Sequence, residues 1–404
     1  MKKEAGSSRL RMGMVGGGQG AFIGAVHRMA AALDSEIDLV CGAFSRDLAN
    51  CSQTGRELGL TQDRCYSDLG EMLSCEASLG LGGGAAGGRG GMQLLSIVTP
   101  NNSHVDFASQ AAKAGVHVMS DKPAGISLEE VEDLAVVLQA TGTHYGLTHT
   151  YLGYPMVWQA RHIAASEAFG PIRKVHVRYV QGWLASAAED GNKQAAWRVD
   201  PALAGPGGAL GDIGSHAHSL AEFICNSRMS SLVAHLRSHL PGRLLDDDGE
   251  ILFELENGVT GSLVSSQICA GEENGLSITI YGENAGLEWH QEQPNSLIER
   301  RATGEVITHR AGVDKPLCDE ALSRCRLPSG HPEGYVEAFA NLYRNFARAL
   351  RDGVAPITYG VPGIAEALRG MAFLEAAVES SNCAGALTEI KEPAYGPDRK
   401  GLLT

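Results

Sequence analysis

Residues 10–28, LRMGMVGGGQGAFIGAVHR, carry the strongest structural signal in this sequence. A largely apolar run of six residues is followed by three consecutive glycines and then by a segment of helical composition. A glycine turn between a buried strand and a helix lets backbone N–H groups approach the pyrophosphate of a dinucleotide. We therefore predict a strand, a phosphate-binding turn and a helix. Gly16 would make the tight turn, Gly18 would allow the close approach of the pyrophosphate, and Gly24 would pack the helix on the turn.

The rest of the N-terminal part repeats this alternation of strand and helix. Segment 127–142 has a helical pattern in which Ser127 and Glu130 can form a capping box. Alternating strands and helices predict a parallel, doubly wound α/β sheet, here a Rossmann domain over residues 1–150. The other apolar runs that we interpret as its strands lie at 37–44, 94–100, 116–123 and 144–151.

The pattern changes after residue 150, and residues 151–404 are predicted to form a second, α+β domain for substrate binding and oligomerisation. Asn257 and Gly258 form a two-residue turn signal between alternating segments, which is typical of a β-hairpin. We predict a large, open, mainly antiparallel sheet. A strand at 172–183 and helices at 155–168, 334–351 and 361–380 belong to this domain. The glycine-rich segment 80–91 is predicted to be a flexible insertion.

Composition narrows the class of protein. The chain of 404 residues is 44% hydrophobic and 20% charged, with a formal net charge of −14. An acidic chain offers little surface for neutralising phosphates, so we expect no nucleic-acid partner. Nine cysteines without a C-x-x-C pair indicate reduced thiols. No segment has the length and apolar character of a signal peptide core or a membrane span, so a cytoplasmic protein without a membrane partner is predicted.

The end of the second predicted strand bears on the choice of cofactor. A carboxylate at this position would bind the adenosine ribose hydroxyls of NAD. The sequence here is GAFSRD, which places Ser45 and Arg46 at the strand tip. A hydroxyl and a guanidinium suit a 2′-phosphate, so NADP(H) is favoured and NAD(H) remains possible. The alternative is that Arg46 is a solvated residue and Asp47 a helix cap.

Two further motifs end neighbouring strands at the same edge of the predicted sheet. TPNNSH (99–104) follows one strand, and DKP (121–123) ends the next. Ligands of open α/β sheets bind outside the carboxyl ends of the strands, so Lys122 should face the nicotinamide region. The cofactor-contacting residues predicted from these two motifs are Thr99, Pro100, Asn101, His104 and Lys122.

A third motif, GGALGDIGSHAHSL (207–220), carries an aspartate and two histidines. On a helix over 208–225, Asp212 and His216 are four residues apart and share a face, whereas His218 points away. These three side chains cannot readily converge on one metal, so no metal site is predicted. A capping aspartate and a buried neutral histidine remain an open alternative for this stretch.

Together, VGGG, TPNNSH, DKPAG and GGALGDIGSHAHS resemble the Gfo/Idh/MocA family of nicotinamide-dependent oxidoreductases over nearly the whole chain. The resemblance implies hydride transfer between nicotinamide and a secondary alcohol of a sugar, an inositol-like cyclitol or a glycoside. It also implies a homodimer or homotetramer built through the C-terminal sheet. Asp121 stands in place of the customary glutamate before Lys122. Two departures from the family pattern concern the substrate: Ser219 replaces a frequent acidic residue, and the glycine loop is long.

The resemblance also implies catalytic roles for Lys122, Asp212 and His216. His216 would accept the hydroxyl proton, Lys122 would stabilise the reacting oxygen, and Asp212 would orient His216 or hold a neighbouring substrate hydroxyl. The segment AAWRVDP (195–201) resembles a sugar-contacting segment of the family, so Trp197 and Arg198 are candidate substrate-binding residues. Tyr151 is a further candidate, although it, His104, His149 and Tyr154 could equally be packing residues. Two other functions stay open: a redox-neutral NAD-dependent glycoside hydrolase and a non-catalytic dinucleotide sensor.

Overall fold

The computed structural model describes residues 9–80, 90–186 and 197–393. Its first sheet contains five parallel strands in the order β2-β1-β3-β4-β5. This doubly wound parallel sheet confirms the predicted α/β fold of the N-terminal part. The bounds are β1 (Leu10–Gly16), β2 (Ile37–Ala43), β3 (Leu94–Val98), β4 (His117–Ser120) and β5 (Tyr145–Leu147). Most of the predicted glycine-rich insertion, residues 81–89, lies outside the described residues.

In the described residues, five α-helices accompany this sheet. The predicted capping box is present: Ser127 Oγ accepts from the Glu130 N–H, and the Glu130 carboxylate accepts from the Ser127 N–H. One helix was not predicted, and it begins after Asp68, whose carboxylate accepts from the Glu71 N–H. The helices are α1 (Phe22–Leu33), α2 (Leu48–Glu57), α3 (Leu69–Ser78), α4 (His104–Lys113) and α5 (Leu128–Thr141).

The second sheet has nine strands in the order β13-β12-β11-β10-β6-β9-β8-β7-β14. The β6–β9 pair is parallel and every other neighbouring pair is antiparallel, so the prediction of a mainly antiparallel sheet is confirmed. The strands are β6 (Ile172–Val180), β7 (Met229–Arg237), β8 (Asp248–Leu255), β9 (Thr260–Ser266), β10 (Gly275–Gly282), β11 (Ala285–His290), β12 (Ser296–Arg301), β13 (Val306–Arg310) and β14 (Thr388–Glu389).

Helices cover one face of the second sheet. Along β8, Ile251 and Phe253 are buried, whereas Glu250, Leu252 and Glu254 on the opposite face are exposed. This alternation is typical of a sheet with one packed face and one open face. The helices of this part are α6 (Pro155–Ala164), α7 (Pro201–Ala204), α8 (Ser215–Cys225), α9 (Asp319–Leu322), α10 (Tyr335–Asp352) and α11 (Ile364–Asn382).

Helix α10 belongs to the second half of the chain but packs on the first sheet. Its Phe339, Tyr343 and Phe346 are buried in one core cluster with residues of β1 and α1. The Tyr343 hydroxyl lies 2.6 Å from His27 Nδ1 and 2.9 Å from Ser96 Oγ. The C-terminal half therefore supplies part of the core of the first sheet, and a domain division at residue 150 stays a prediction.

Two structural features concern the predicted cytoplasmic location: the state of the cysteines and the character of the helices. All nine cysteines are free thiols. Among the described residues, no helix combines the length and apolar character that crossing a membrane requires. The cytoplasmic location itself stays a prediction.

Candidate active site

The glycine turn after β1 has the geometry of a phosphate cradle. Gly16 and Gly17 have φ values of +84° and +74°, a region that favours glycine. A Cβ atom on Gly24 would collide with Gly17 Cα, so Gly24 brings α1 into close contact with the turn. Helix α1 begins after Ala21, and among the described residues its first N–H groups have no capping side chain at this position. Uncapped N–H groups above a glycine turn fit a pyrophosphate.

Gly18 is held by the connection between β2 and α2. Its N–H donates to the Phe44 carbonyl oxygen at 3.0 Å. A Cβ atom on Gly18 would lie 2.9 Å from that oxygen and would also collide with Asn50 Oδ1. Position 18 therefore requires glycine because the β2–α2 connection lies against it. The reason predicted from the sequence was a different one, the close approach of a pyrophosphate.

The tip of β2 contains one charged side chain with no protein partner among the described residues. Ser45 Oγ accepts from the Asp47 N–H at 3.1 Å, and Asp47 Oδ1 accepts from the Ala49 N–H at 2.9 Å. Asp47 therefore caps α2, as the alternative interpretation expected. The Arg46 side chain is exposed, and the described part of the chain gives it no hydrogen bond or ion pair.

The TPNNSH loop is fastened by its own polar side chains. Both ring nitrogens of buried His104 lie 2.8 Å from carbonyl oxygens, those of Thr99 and Pro123. His104 thus joins two loops at the sheet edge and offers no free ring nitrogen to the predicted cofactor. Asn101 is also buried, and its amide donates to the Ala204 carbonyl oxygen at 2.9 Å, while Pro100 beside it is half-buried.

The structure brings Lys122 and Asp212 together. Lys122 Nζ lies 2.7 Å from Asp212 Oδ1 and also donates to the Asp212 carbonyl oxygen. Arg198 Nε lies 3.2 Å from Oδ2 of the same carboxylate, and Gln267 donates to it at 2.9 Å. Burial alone would raise the pKa of Asp212, but the Lys122 and Arg198 charges outweigh it and hold that pKa well below its ordinary value.

The predicted helix over 208–225 is wrong at its start. A π-helical turn covers Leu210–Gly214, and α8 follows it. Asp246, from the loop before β8, accepts from the Gly208 N–H at 2.6 Å and from the Leu210 N–H at 2.7 Å. A distant aspartate therefore caps this segment, and Asp212 is left free for Lys122.

The π-helical turn also changes the relation between Asp212 and His216. One of the two roles expected for Asp212 was to orient His216. Within the described residues, however, no hydrogen bond joins these two side chains, so Asp212 does not orient His216 directly. His216 is instead 3.4 Å from His149, measured between the Nδ1 atoms. Its ring also contacts Tyr151 and Tyr179, with centroids 4.8 Å and 6.2 Å away.

Burial lowers the pKa of His216 well below its ordinary value, and the Lys122 ammonium adds to this effect. A neutral imidazole can accept a proton at one nitrogen while donating at the other. His216 therefore has the protonation state of a general base at neutral pH.

His218 faces away from this cluster, as predicted. Its ring stacks on Phe373 with a centroid distance of 4.3 Å, and its Nε2 lies 3.2 Å from a Glu222 carboxylate oxygen. Across residues 9–80, 90–186 and 197–393, no group of three or more metal-ligating His, Cys, Asp or Glu side chains comes together.

The predicted substrate residues lie beside the Lys122–Asp212 pair. The Arg198 guanidinium lies 4.3 Å from the ring centroid of half-buried Trp197 and 5.8 Å from that of Trp183. Residues 195 and 196 of the predicted sugar-contacting segment lie outside the described residues. Tyr151 is buried, and its hydroxyl bonds to that of Tyr179.

Sequence reasoning missed Gln267 and Asp246, and it left His149 as an ordinary pocket candidate. Gln267 directly follows β9, and its side-chain amide donates to Asp212 Oδ2 in the π-helical turn. No local motif surrounds either residue. A polar residue at the end of an alternating strand was the one available signal.

Comparisons with known proteins agree with this geometry. Residues 10–149 match the oxidoreductase family with an NAD-binding Rossmann fold, and residues 157–288 match the GFO/IDH/MocA C-terminal domain. An uncharacterized oxidoreductase of Bacillus subtilis is 32% identical over 397 residues, which cover 95% of this chain and 98% of the relative.

Two solved structures from Azotobacter vinelandii are similar over 95% of this chain and 98% of theirs. One is an inositol dehydrogenase homologue complexed with NAD⁺, with 34% identity and a TM-score of 0.89. The other is an inositol dehydrogenase homologue complexed with NADH and myo-inositol, with 33% identity and a TM-score of 0.86. The chain belongs to the Gfo/Idh/MocA family of NAD(P)-dependent oxidoreductases.

Proposed function

We propose that the protein is a dehydrogenase or reductase that acts on a secondary alcohol of a polyol, sugar or glycoside. The observation that carries this proposal is the contact of Lys122 with Asp212, beside the neutral ring of His216. A fixed ammonium and a neutral imidazole are what alcohol oxidation requires, since one stabilises an alkoxide and the other accepts a proton. The relatives named inositol dehydrogenase homologues support the substrate class.

A bound nicotinamide would accept or donate the hydride. The proposed task of Lys122 is to hydrogen-bond the reacting oxygen and stabilise its developing negative charge. Asp212 accepts from the Lys122 ammonium and so fixes its position at the carboxyl edge of the first sheet. His216 would take the hydroxyl proton.

Arg198, Trp197 and Tyr151 are proposed to hold the substrate. Arg198 reaches the carboxylate of Asp212 and lies over the Trp197 ring, so the two side chains form one wall of the site. Aromatic faces and a guanidinium are suited to the C–H and O–H groups of a polyol. Tyr151 packs against His216 and would limit where the ring of the substrate can lie.

We propose that the turn shaped by Gly16, Gly18 and Gly24, together with the N-terminus of α1, binds the pyrophosphate, while the loop of Thr99, Pro100 and Asn101 borders the nicotinamide. For the adenosine end we propose a preference for NADP(H), with NAD(H) as the alternative. Arg46 supports this preference because it is exposed at the tip of β2, where neighbouring Asp47 is used as a helix cap. A guanidinium without an acidic partner suits a 2′-phosphate.

A homodimer or homotetramer through the second sheet is also proposed. The face of that sheet opposite the helices exposes Leu252 and Tyr281, with 62% and 48% of their surface accessible. Apolar side chains on an open sheet are typical of an interface between subunits. Light scattering coupled to size-exclusion chromatography tests this proposal, and a monomer at micromolar concentration contradicts it.

A cofactor-reduction screen tests the function. The purified protein is incubated with NAD⁺ or NADP⁺ and a panel of cyclitols, aldoses and glycosides, and reduced nicotinamide is followed by absorbance. Lys122→Ala serves as the site variant and Lys315→Ala, a partly exposed lysine on the loop after β13, as its matched control. Net reduction that Lys122→Ala loses supports the proposal. Glycoside cleavage without accumulation of reduced cofactor contradicts it in favour of a redox-neutral hydrolase.

A further inference from the structure

His149 lies two residues after β5, at the carboxyl edge of the first sheet. Its side chain is buried, with 3% of the residue surface exposed. Its Nδ1 is 3.4 Å from His216 Nδ1, and the two ring planes meet at 80°. Two backbone hydrogen bonds hold the position of His149: its N–H donates to the Leu147 carbonyl oxygen, and its own carbonyl oxygen accepts from the Leu152 N–H.

The contact between the two rings requires one donor and one acceptor. Burial lowers the pKa of His149 to about 3, and the pKa of His216 is lowered as well, so both rings are neutral near pH 7. A neutral imidazole carries one N–H. Either His216 donates from Nδ1 and keeps an unprotonated Nε2, or His149 donates and leaves His216 protonated at Nε2.

The surroundings of His216 offer Nδ1 no other hydrogen-bond partner among the described residues. Tyr151 and Tyr179 contact the ring through their aromatic faces and edges. Their hydroxyl groups bond to each other, and the Tyr179 hydroxyl also donates to Asn274 Oδ1 at 2.6 Å. The tautomer of His216 is therefore decided at its contact with His149.

We propose that His149 is a positioning residue that accepts the Nδ1–H of His216 and so keeps His216 Nε2 free as the proton acceptor. This inference rests on the proposed function. When the alcohol is oxidised, its C–H bond gives a hydride to the nicotinamide and its O–H bond gives a proton to His216 Nε2. The resulting imidazolium keeps its Nδ1–H on His149, and His149 itself gains no proton.

The first test measures the tautomer in the full chain without cofactor or substrate. Long-range ¹H–¹⁵N correlation spectra of ¹⁵N-histidine-labelled protein distinguish protonated from unprotonated ring nitrogens. The His216 signals are assigned from their absence in His216→Gln. We expect the Nδ1–H tautomer in the wild type and in His149→Asn, whose Oδ1 places an acceptor near the original Nδ1. A His216 that is protonated at Nε2 in the wild type overturns the proposal.

The second test uses kinetics on a substrate found in the reduction screen. We expect His149→Leu to lose about 10²-fold in kcat, the lower end of what a general base contributes, with KM and cofactor affinity unchanged. His149→Asn should recover most of the loss, which a merely structural role would not predict. An unchanged kcat and tautomer in His149→Leu overturns the proposal. A wild type that reduces no cofactor with any substrate would instead contradict the proposed function, because the tautomer is measured independently.

Discussion

Lys122 Nζ lies 2.7 Å from the Asp212 carboxylate, although 90 residues separate the two positions in the chain. The contact joins the edge of the first sheet to the π-helical turn before α8. Their side chains are 12% and 17% exposed, so the charges are largely withdrawn from water. Each of the two charges is therefore stabilised mainly by its partner and only weakly by solvent.

The first prediction concerns this dependence. Lys122→Met removes the ammonium and leaves Asp212 with Arg198 and Gln267. We expect a loss of about 1–3 kcal/mol in the free energy of unfolding, because a mostly buried carboxylate loses its main partner. Lys122→Met combined with Asp212→Asn should cost less than the sum of the two single changes. Urea denaturation of the four proteins measures this coupling, and strictly additive losses would contradict it.

The second prediction concerns the glycine turn. Gly24→Ala places a Cβ against Gly17 Cα, which must push α1 away from the turn. We expect cofactor affinity to fall about tenfold or more, since a displaced helix no longer aims its N–H groups at the phosphates. Fluorescence titration measures the Kd.

Gly370→Ala is the matched control for Gly24→Ala. Gly370 also lies within a helix, but a Cβ there meets no atom within 4 Å. This change should leave the Kd unaltered and raise the free energy of unfolding by about 1 kcal/mol, because alanine favours a helix over glycine. Equal cofactor affinities of the two variants would remove the packing role of Gly24.

The third prediction concerns Arg46. Because its guanidinium is exposed at the tip of β2, Arg46→Ala should weaken NADPH binding about tenfold through the loss of a charge-assisted hydrogen bond. NADH binding should change little. Arg173→Ala, an exposed arginine on the second sheet, is the control. Wild-type affinities that are equal for NADH and NADPH would refute the proposed preference.

A fourth prediction concerns stability in acid. Burial lowers the pKa of His27 from 6.5 to about 4, so the unfolded chain binds a proton below pH 6.5 that the folded chain refuses. The free energy of unfolding should therefore fall as the pH drops from 6.5 towards 4, by about 3 kcal/mol from this residue. His27→Gln should flatten the slope in urea denaturation.

Tyr343→Phe is the control for the acid prediction. It removes the hydroxyl partner of His27 Nδ1, so it should lower stability throughout this pH range while keeping the slope. If His27→Gln keeps the full wild-type slope, the buried neutral state of His27 is not the cause.

A fifth prediction concerns Asp246, which caps the π-helical turn from a distant loop. Asp246→Ala leaves the Gly208 and Leu210 N–H groups without their acceptors. We expect a loss of about 2 kcal/mol in the free energy of unfolding, because each unsatisfied buried donor costs about 1–3 kcal/mol and this site is partly solvated. Glu250→Ala, an exposed change on nearby β8, should have little effect. Equal unfolding midpoints of the two variants would argue against the capping role.

The first sheet and the glycine turn could be predicted because their signals are local. The strand at 10–16, the glycines after it and the capping box of Ser127 each depend on a few adjacent residues. The expected strand ends after β3 and β4 were too long by two or three residues, since polar loop residues follow apolar runs without a break in pattern.

The finer parts of the site could not be predicted in the same way. Asp246 caps a segment 36 and 38 residues away, Gln267 reaches Asp212 over 55 residues, and His149 contacts His216 over 67. The contact of His149 with His216 joins the two parts of the chain, whereas Asp246 and Gln267 reach their partners within the second part, across segments that are distant in sequence. A helical wheel placed Asp212 beside His216, but a π-helical turn over Leu210–Gly214, capped by the distant Asp246, changes their relation and has no sequence pattern of its own.

Lys122 and His216 are proposed to carry the chemistry, and this proposal is tested by measuring turnover at saturating substrate together with cofactor affinity. Wild type, Lys122→Ala, His216→Ala and the control Lys315→Ala would be compared on the first polyol that the wild type oxidises. We predict that the two site variants lose about 10²-fold or more in kcat while still binding cofactor, and that the control keeps both. Near-normal turnover in either site variant would contradict the role of that residue.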